Sequence, residues 1–135
     1  LDCNSSGLLI MTNDGEFTYK LTHPSHEIAK SYIVNVRGYA KGNLKKLSSG
    51  LVIDGYKTKP AQVEIEDEKE KGAVLKITIH EGRNRQIRKM CALCGLTVKS
   101  LKRISIGTLS LNGLKSGNWR YLTEEEILQL KNLYE

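Results

Sequence analysis

The sequence contains no long apolar run, no secretory leader pattern and no internal repeat. A helix that crosses a membrane needs about 18 or more apolar residues in succession, and no run in this chain approaches that length. These absences argue against a membrane helix or a repeat array, and we expect a cytoplasmic protein. The chain starts at Leu1 with no initiator methionine, so we expect that part of its N-terminal context is missing.

Cysteine is also scarce, since the chain has only three. A count this low, without secretory features, argues for a reducing cytosol and against a disulfide framework. Two of the three form a C-x-x-C, but Cys91 and Cys94 share a helical apolar stripe with Ile87 and Met90. We therefore predict that both pack in the core, and we predict no metal site because the three histidines show no ligand spacing. The alternative is a redox pair, which would require exposed thiols with a lowered pKa.

The composition is that of one globular domain with a basic surface. The chain has 135 residues, of which 39% are hydrophobic, and a formal net charge of +6. Such a charge favours a polyanionic partner, nucleic acid before an anionic membrane. Acidic residues concentrate at 64–70 and 123–126, whereas cations dominate between Arg83 and Arg103. We therefore expect one basic face.

Apolar spacing predicts several strands and four scattered helices, without the alternation of strand and helix that is typical of parallel sheets. This pattern indicates an α+β fold with a mainly antiparallel sheet. Strands are predicted at 7–13, 30–38, 51–53, 61–66, 73–80 and 96–111. Helices are predicted at 16–23, 43–49 and 84–94, and from Thr123, where Glu126 would complete a capping box.

Four cations crowd into residues 83–89, within the stretch "HEGRNRQIRKM". Arg83 and Arg85 lie where a loop is predicted to enter a helix. Guanidinium groups and the free N–H groups of a helix N-terminus both suit phosphate oxygens, so this segment favours an anion-binding site. The alternative is a solvated helix start, but no acidic residue stands at a spacing that would pair these cations within the segment.

Three motifs bring the chain close to a known family. "LD-x-x-S-x-GLLIMTNDGE" opens the chain, "HPSHEIAKSYIV" follows, and "HEGRNRQIRKM" precedes "LKRISIG" and "LTEEE". In this order and spacing they resemble the RsuA/RluB family of ribosomal RNA pseudouridine synthases, over essentially the whole chain. The resemblance implies the pseudouridine synthase catalytic fold, a mixed, mainly antiparallel sheet flanked by helices around a central cleft.

The same resemblance implies three catalytic residues. Asp2 matches the essential aspartate of the family, and Tyr32 matches the tyrosine that stacks on the target uracil and is proposed to assist proton removal at C5. Arg88 matches the basic residue that pairs with the aspartate, so we expect Asp2 and Arg88 to meet in the cleft. The expected RNA-binding residues are the remaining cations of the basic segment, Arg83, Arg85, Lys89, Lys102 and Arg103.

The implied chemistry explains these residue types. Isomerisation of uridine breaks the N1–C1′ bond, turns the uracil and rejoins it through C5. A carboxylate can attack C1′ or remove the C2′ proton, and in either role it must be ionised. A guanidinium nearby lowers the pKa of the carboxylate, and an aromatic ring holds the base once it has left its stack. No metal or organic cofactor is required.

The chain departs from the family pattern in three places. Residues 1–135 do not include the Gly-Arg pair that precedes Leu-Asp in the family or the small S4 RNA-binding domain, and Ser5 replaces a threonine while keeping a hydroxyl. We therefore expect residues 1–135 to be a catalytic domain that is incomplete at its N-terminus. Its expected partner is ribosomal RNA or a pre-ribosomal particle, and the resemblance of "EGRNRQIR" to the RluB side of the family favours the large subunit. The alternative function is a non-catalytic RNA-binding module of ribosome assembly.

Overall fold

The computed structural model describes residues 4–83 and 85–134 and is an α+β fold built on one six-stranded sheet. The strands are β1 (Ser6–Gly7), β2 (Lys30–Arg37), β3 (Val52–Ile53), β4 (Tyr56–Lys57), β5 (Gln62–Lys69), β6 (Gly72–Ile79), β7 (Thr97–Ile106) and β8 (Leu109–Ser110). The helices are α1 (Gly15–Thr22), α2 (Leu44–Ser48), α3 (Gln86–Leu93) and α4 (Glu124–Asn132). No helix in this part of the chain has the length and apolar character needed to cross a membrane.

The sheet has the order β1-β7-β2-β6-β5, and β8 pairs with β7 as a short hairpin. All of its neighbouring strands are antiparallel except β1 and β7, which are parallel. The long central strands β2 and β6 alternate as predicted, because one face of each lies against the core. The predicted α+β class with a mainly antiparallel sheet is therefore confirmed.

Two apolar clusters hold the helices in place. The larger cluster joins one face of β2 and β6 to α2 and α3, with Val34, Leu75, Leu47 and Met90 almost fully buried. The smaller cluster packs α1 and α4 against the β7–β8 hairpin, and its centre is the fully buried Leu130 of α4. The larger cluster fixes α3 against the sheet and thereby determines where the cations of its first turn lie.

The buried face and the end of helix α3 follow from its sequence. Ile87, Met90 and Cys91 form its buried stripe, so the helical spacing predicted for this segment is confirmed. Gly95 follows the helix with a φ of 73°, which a residue without a Cβ adopts freely. The Leu96 N–H donates to the Cys91 carbonyl and the Gly95 N–H to the Ala92 carbonyl, closing the last turn.

The predicted strand at 7–13 is wrong in extent. Only Ser6 and Gly7 are in a ladder, and Met11 is 86% exposed. The reason is that β1 pairs with β7 alone, and beyond Leu8 the chain leaves β7. An apolar sequence favours a strand but does not supply a partner for its backbone.

Candidate active site

A cleft of about 350 Å³ opens beside the first residues of β2, between that strand, β7 and the loop that enters α3. Its walls combine apolar side chains, which suit the faces of a base, with cations, which suit phosphate. Its lining residues are Ser5, Thr22, Lys30, Tyr32, Ile79, Gly82, Arg83, Arg85, Gln86, Ile87, Arg88, Leu101 and Arg103. Five of these are Lys or Arg and none is acidic, so this set of walls is complementary to a polyanion.

Tyr32 is the third residue of β2, and its side chain lines the cleft. Its side chain is 8% exposed and packs in the larger core cluster, while the exposed edge lines the cleft. The pairing of β2 with β7 shifts register between Ser31 and Tyr32, and Tyr32 is paired with Arg103. The structure therefore brings the aromatic ring expected to hold a base next to a guanidinium, in the same cleft as Arg88.

Arg88 projects from the first turn of α3 toward the N-terminal segment. Its Nη2 donates to the backbone carbonyl of Asn4 at 2.7 Å and to the hydroxyl of Ser5 at 3.3 Å. Its Nε is buried and has no hydrogen-bond partner within residues 4–83 and 85–134. Because Ile87 is buried in the core, its neighbour Arg88 is directed to the rim. Arg88 thus binds Asn4 and Ser5, which follow Asp2 in the chain. Asp2 itself lies outside the described residues.

The loop before α3 presents two more guanidinium groups. Arg83 stacks on Tyr56 of the β3–β4 hairpin, with Cζ 3.3 Å from the ring centroid, and also lines the cleft. Arg85 stands at the N-cap of α3 in the left-handed conformation, with a φ of 51°. A non-glycine residue with that φ is uncommon, so the loop must be held by other contacts to keep Arg85 at the cleft.

Lys30 and Arg103 complete the cationic wall. Lys30 precedes Tyr32 by two residues and therefore shares its face of β2, a signal that the sequence offered and that sequence reasoning missed. Burial lowers the pKa of Lys30, and repulsion from Arg103 lowers it further. Arg103 Nε donates to the carbonyl of Leu8 at 2.9 Å, which fixes that side chain at the mouth of the cleft.

Two of the expected RNA-binding cations lie elsewhere. Lys89 forms an ion pair with Asp54 in the turn of the β3–β4 hairpin and does not line the cleft. Lys102 follows Leu101 on β7 and points to the opposite face of the sheet, where it lines a separate groove beside β1. The cleft thus holds Arg83, Arg85, Arg88 and Arg103 but neither Lys89 nor Lys102. RNA binding by the five expected cations stays a prediction.

The cysteines of the C-x-x-C are packed, as predicted. Cys91 and Cys94 are free thiols in the larger core cluster. Burial raises the pKa of the Cys91 thiol to about 12, with a smaller contribution from Cys94. Burial also raises the pKa of Cys94. These thiols are the opposite of an exposed pair with lowered pKa, so the redox alternative is wrong.

Comparison with known proteins points to one family, both in sequence and in overall fold. Residues 1–93 match the family model described as RNA pseudouridylate synthase. A crystal structure of a pseudouridylate synthase superposes with a TM-score of 0.86 at 32% identity, covering 96% of this chain and 56% of that one. This likeness confirms the fold that the motifs implied.

Two curated relatives are similar over the whole chain. The ribosomal large subunit pseudouridine synthase B of Bacillus subtilis (strain 168) is 44% identical over 136 residues, which are 98% of this chain and 56% of the relative. The dual-specificity RNA pseudouridine synthase RluF of Escherichia coli (strain K12) is 38% identical over 100% of this chain and 46% of its own length. The chain thus spans about half the length of the curated relatives it matches. The family match, the fold and these relatives agree with the resemblance drawn from the three motifs, and the chain belongs to the RNA pseudouridylate synthase family.

Proposed function

We propose that the protein converts a specific uridine of ribosomal RNA to pseudouridine in the cleft that holds Tyr32 and Arg88. The observation that carries the proposal is the meeting of these two side chains, 56 positions apart in the sequence, within one cationic cleft. The family resemblance assigns both of them to the reaction. The apolar walls and the volume of about 350 Å³ suit one nucleotide taken out of its stack.

In this proposal the target nucleotide enters with its uracil against Tyr32. The N1–C1′ bond breaks, the uracil turns, and a C5–C1′ bond forms; the C5 proton leaves and N1 gains a proton, so the formula of the nucleotide is unchanged. Asp2 acts on the ribose, either by attack on C1′ or by removal of the C2′ proton. Tyr32 holds the base, and its hydroxyl assists removal of the C5 proton.

Arg88 would orient the segment that carries Asp2. Its bond to the Asn4 carbonyl places a guanidinium within two residues of the aspartate, and its buried Nε is a donor without a partner among residues 4–83 and 85–134. A carboxylate that approaches this guanidinium would be kept ionised, as either role of Asp2 requires. The other cleft cations, Lys30, Arg83, Arg85 and Arg103, would bind the phosphates that flank the target.

In this proposal the RNA is that of the large ribosomal subunit, as free RNA or in a pre-ribosomal particle. This choice is supported by the name of the relative that is 44% identical, a ribosomal large subunit pseudouridine synthase. Such a substrate would place the protein in the cytoplasm, in accord with its sparse cysteines. The chemistry needs no metal or organic cofactor, since the reactants are one carboxylate, one phenol and the nucleotide itself.

The test is a map of pseudouridine in ribosomal RNA from cells with and without the gene. We expect one position, or a few neighbouring positions, to revert to uridine in the deletion and to be restored by the wild-type gene. If the two maps are identical, the proposal fails, and a non-catalytic RNA-binding module of ribosome assembly becomes the better account.

A further inference from the structure

The loop that carries Arg83 and Arg85 is closed by a buried carboxylate that the proposed reaction does not use. Glu81 follows β6 and is 4% exposed. Its Oε2 accepts from the backbone N–H of Lys59 at 2.6 Å and from Nε2 of Gln86 at 3.1 Å. Its Oε1 is buried without a hydrogen-bond partner within residues 4–83 and 85–134.

Gln86 joins this carboxylate to the loop. It is the first residue of α3, is 3% exposed, and accepts the backbone N–H of Arg83 on its Oε1 at 3.2 Å. The side chain of Gln86 thus connects Glu81, at the start of the loop, with Arg83. Glu81, Arg83 and Gln86 are therefore linked by hydrogen bonds, and the left-handed Arg85 directly precedes Gln86.

Packing alone does not explain an acid at this position. A buried carboxylate with one unpaired oxygen is costly, and apolar residues of similar shape can often replace a buried polar group without loss of stability. Glu81 lies at the foot of a loop whose cations face the cleft together with Lys30, Arg88 and Arg103, and none of the cleft-lining residues is acidic. Its hydrogen bonds to Lys59 and Gln86 hold the loop that presents two of these cations.

We propose that Glu81 and Gln86 are positioning residues that hold Arg83 and Arg85, and through the start of α3 also Arg88, in place for the target nucleotide. This inference rests on the proposed function, because it names the part of the fold that keeps that cleft in working geometry. Glu81 is not among the described residues that line the cleft, and the amide oxygen and nitrogen of Gln86 are already bonded to Arg83 and Glu81. Their effect reaches the reaction through the arginines.

A double variant restores a donor between these two side chains. In Glu81→Gln/Gln86→Glu, the amide oxygen at 81 takes the place of Oε2 and accepts from Lys59, and the amide nitrogen takes the place of Oε1 and donates to the new carboxylate at 86 after a small rotation of the two side chains. That carboxylate still accepts the Arg83 N–H. In Gln86→Glu alone two carboxylates face each other and no donor remains between them. In Glu81→Gln alone the oxygen that accepts both bonds is retained, so only the charge is lost.

The experiment measures single-turnover pseudouridine formation, RNA affinity and thermal melting for these variants in the intact protein. We expect Gln86→Glu to lower turnover by about 10- to 100-fold, the range reached within one hydrogen-bond network, and the double variant to recover most of that loss. RNA affinity should change by less than about threefold, because phosphates are also bound by Lys30 and Arg103. The matched control is Glu66→Gln, an exposed acid on the edge strand β5, which should leave turnover unchanged.

A second variant covers the possibility that Gln86→Glu fails to fold. Gln86→Met has a similar shape and removes the hydrogen bonds to Glu81 and Arg83 without adding charge. We expect the same loss of turnover in protein that is still folded, with a somewhat lower melting temperature because a buried carboxylate loses a donor. Turnover within twofold of wild type in folded Gln86→Met, or a double variant that folds but is no better than Gln86→Glu, would overturn the inference.

Hydrogen exchange of the Arg83 backbone N–H separates this inference from the proposed function. The Arg83 N–H should exchange with solvent faster in Gln86→Met. It should regain protection in the double variant Glu81→Gln/Gln86→Glu, whether or not the protein modifies RNA. If the variants show this pattern but the wild type forms no pseudouridine, the proposed function is refuted and the positioning of Arg83 by Glu81 and Gln86 is supported. If the wild type is active but the Arg83 N–H exchanges at the same rate in Gln86→Met, only the positioning role is refuted.

Discussion

Replacement of Arg88 by methionine tests how the cleft holds the segment that follows Asp2. Methionine keeps most of the apolar stem and removes the guanidinium, so the two hydrogen bonds to Asn4 and Ser5 are lost. A hydrogen bond to a charged group contributes about 1.5–3 kcal/mol, and the 2.7 Å bond to the Asn4 carbonyl is the stronger of the two. Each 1.36 kcal/mol is a factor of ten in an equilibrium constant, so residues 4 and 5 should leave their positions about 10- to 150-fold more often.

The expected consequence is a split between turnover and affinity. Turnover should fall by about 10- to 150-fold, because the chain that carries Asp2 is no longer held over the cleft. RNA affinity should fall by less than about threefold, because four of the five cleft cations remain. Arg88→Lys should lie between wild type and Arg88→Met, since the charge is kept and the planar fork is lost.

The assay is release of tritium from RNA labelled at C5 of uridine, under single-turnover conditions, with RNA binding measured separately by fluorescence anisotropy. Lys69→Met is the matched control, because Lys69 is an exposed cation on β5, at the far edge of the sheet from β7. Equal losses of turnover and affinity in Arg88→Met would mean that Arg88 is only a phosphate contact. Unchanged turnover would remove Arg88 from the site.

Two further predictions follow from groups whose pKa is shifted by burial. Lys30→Met should be more stable than wild type at pH 7 and should bind RNA more weakly. Since the folded-state pKa of Lys30 lies below 10.5, the stability of the wild type rises as the pH increases past that pKa, and the advantage of Lys30→Met should be smaller at pH 10 than at pH 7. Denaturant unfolding at the two pH values measures this, and equal stabilities at pH 7 would contradict the prediction. Cys91 should resist iodoacetamide in the native protein, because a thiol with a pKa of about 12 has about one part in 10,000 as thiolate at pH 8. Peptide mass spectrometry checks this, and rapid modification of native protein at Cys91 would show that the helix opens.

Local patterns in the sequence were sufficient for the parts of the site that depend on one element. The helical stripe of Ile87, Met90 and Cys91 predicted which side of α3 is buried and therefore that Arg88 faces outward. Alternation along β2 predicted that strand, and applied to its first residue it would also have predicted Lys30 beside Tyr32. In each case one period, 3.6 or 2, determines the side of an element on which a residue lies.

Contacts between segments that are far apart in the sequence could not be predicted from local sequence patterns. Lys89 is paired with Asp54, 35 positions away, and a search for acids within its own helix could not find that partner. The short extent of β1 follows from which strand lies next to it, and the role of Glu81 follows from a bond to the backbone of Lys59. Lys102 is different, because it adjoins Arg103 in a strand, and alternation already excluded a shared face.

The most direct test of the account compares wild-type protein with Asp2→Asn on ribosomal RNA, measuring pseudouridine at nucleotide resolution and RNA affinity in the same samples. The account predicts that the wild type converts one uridine and that Asp2→Asn converts none, although it binds the RNA within about threefold of wild type, because asparagine keeps the shape and lacks the carboxylate. Conversion by Asp2→Asn at the wild-type rate would contradict the account, as would wild-type protein that binds the RNA and leaves every uridine unchanged.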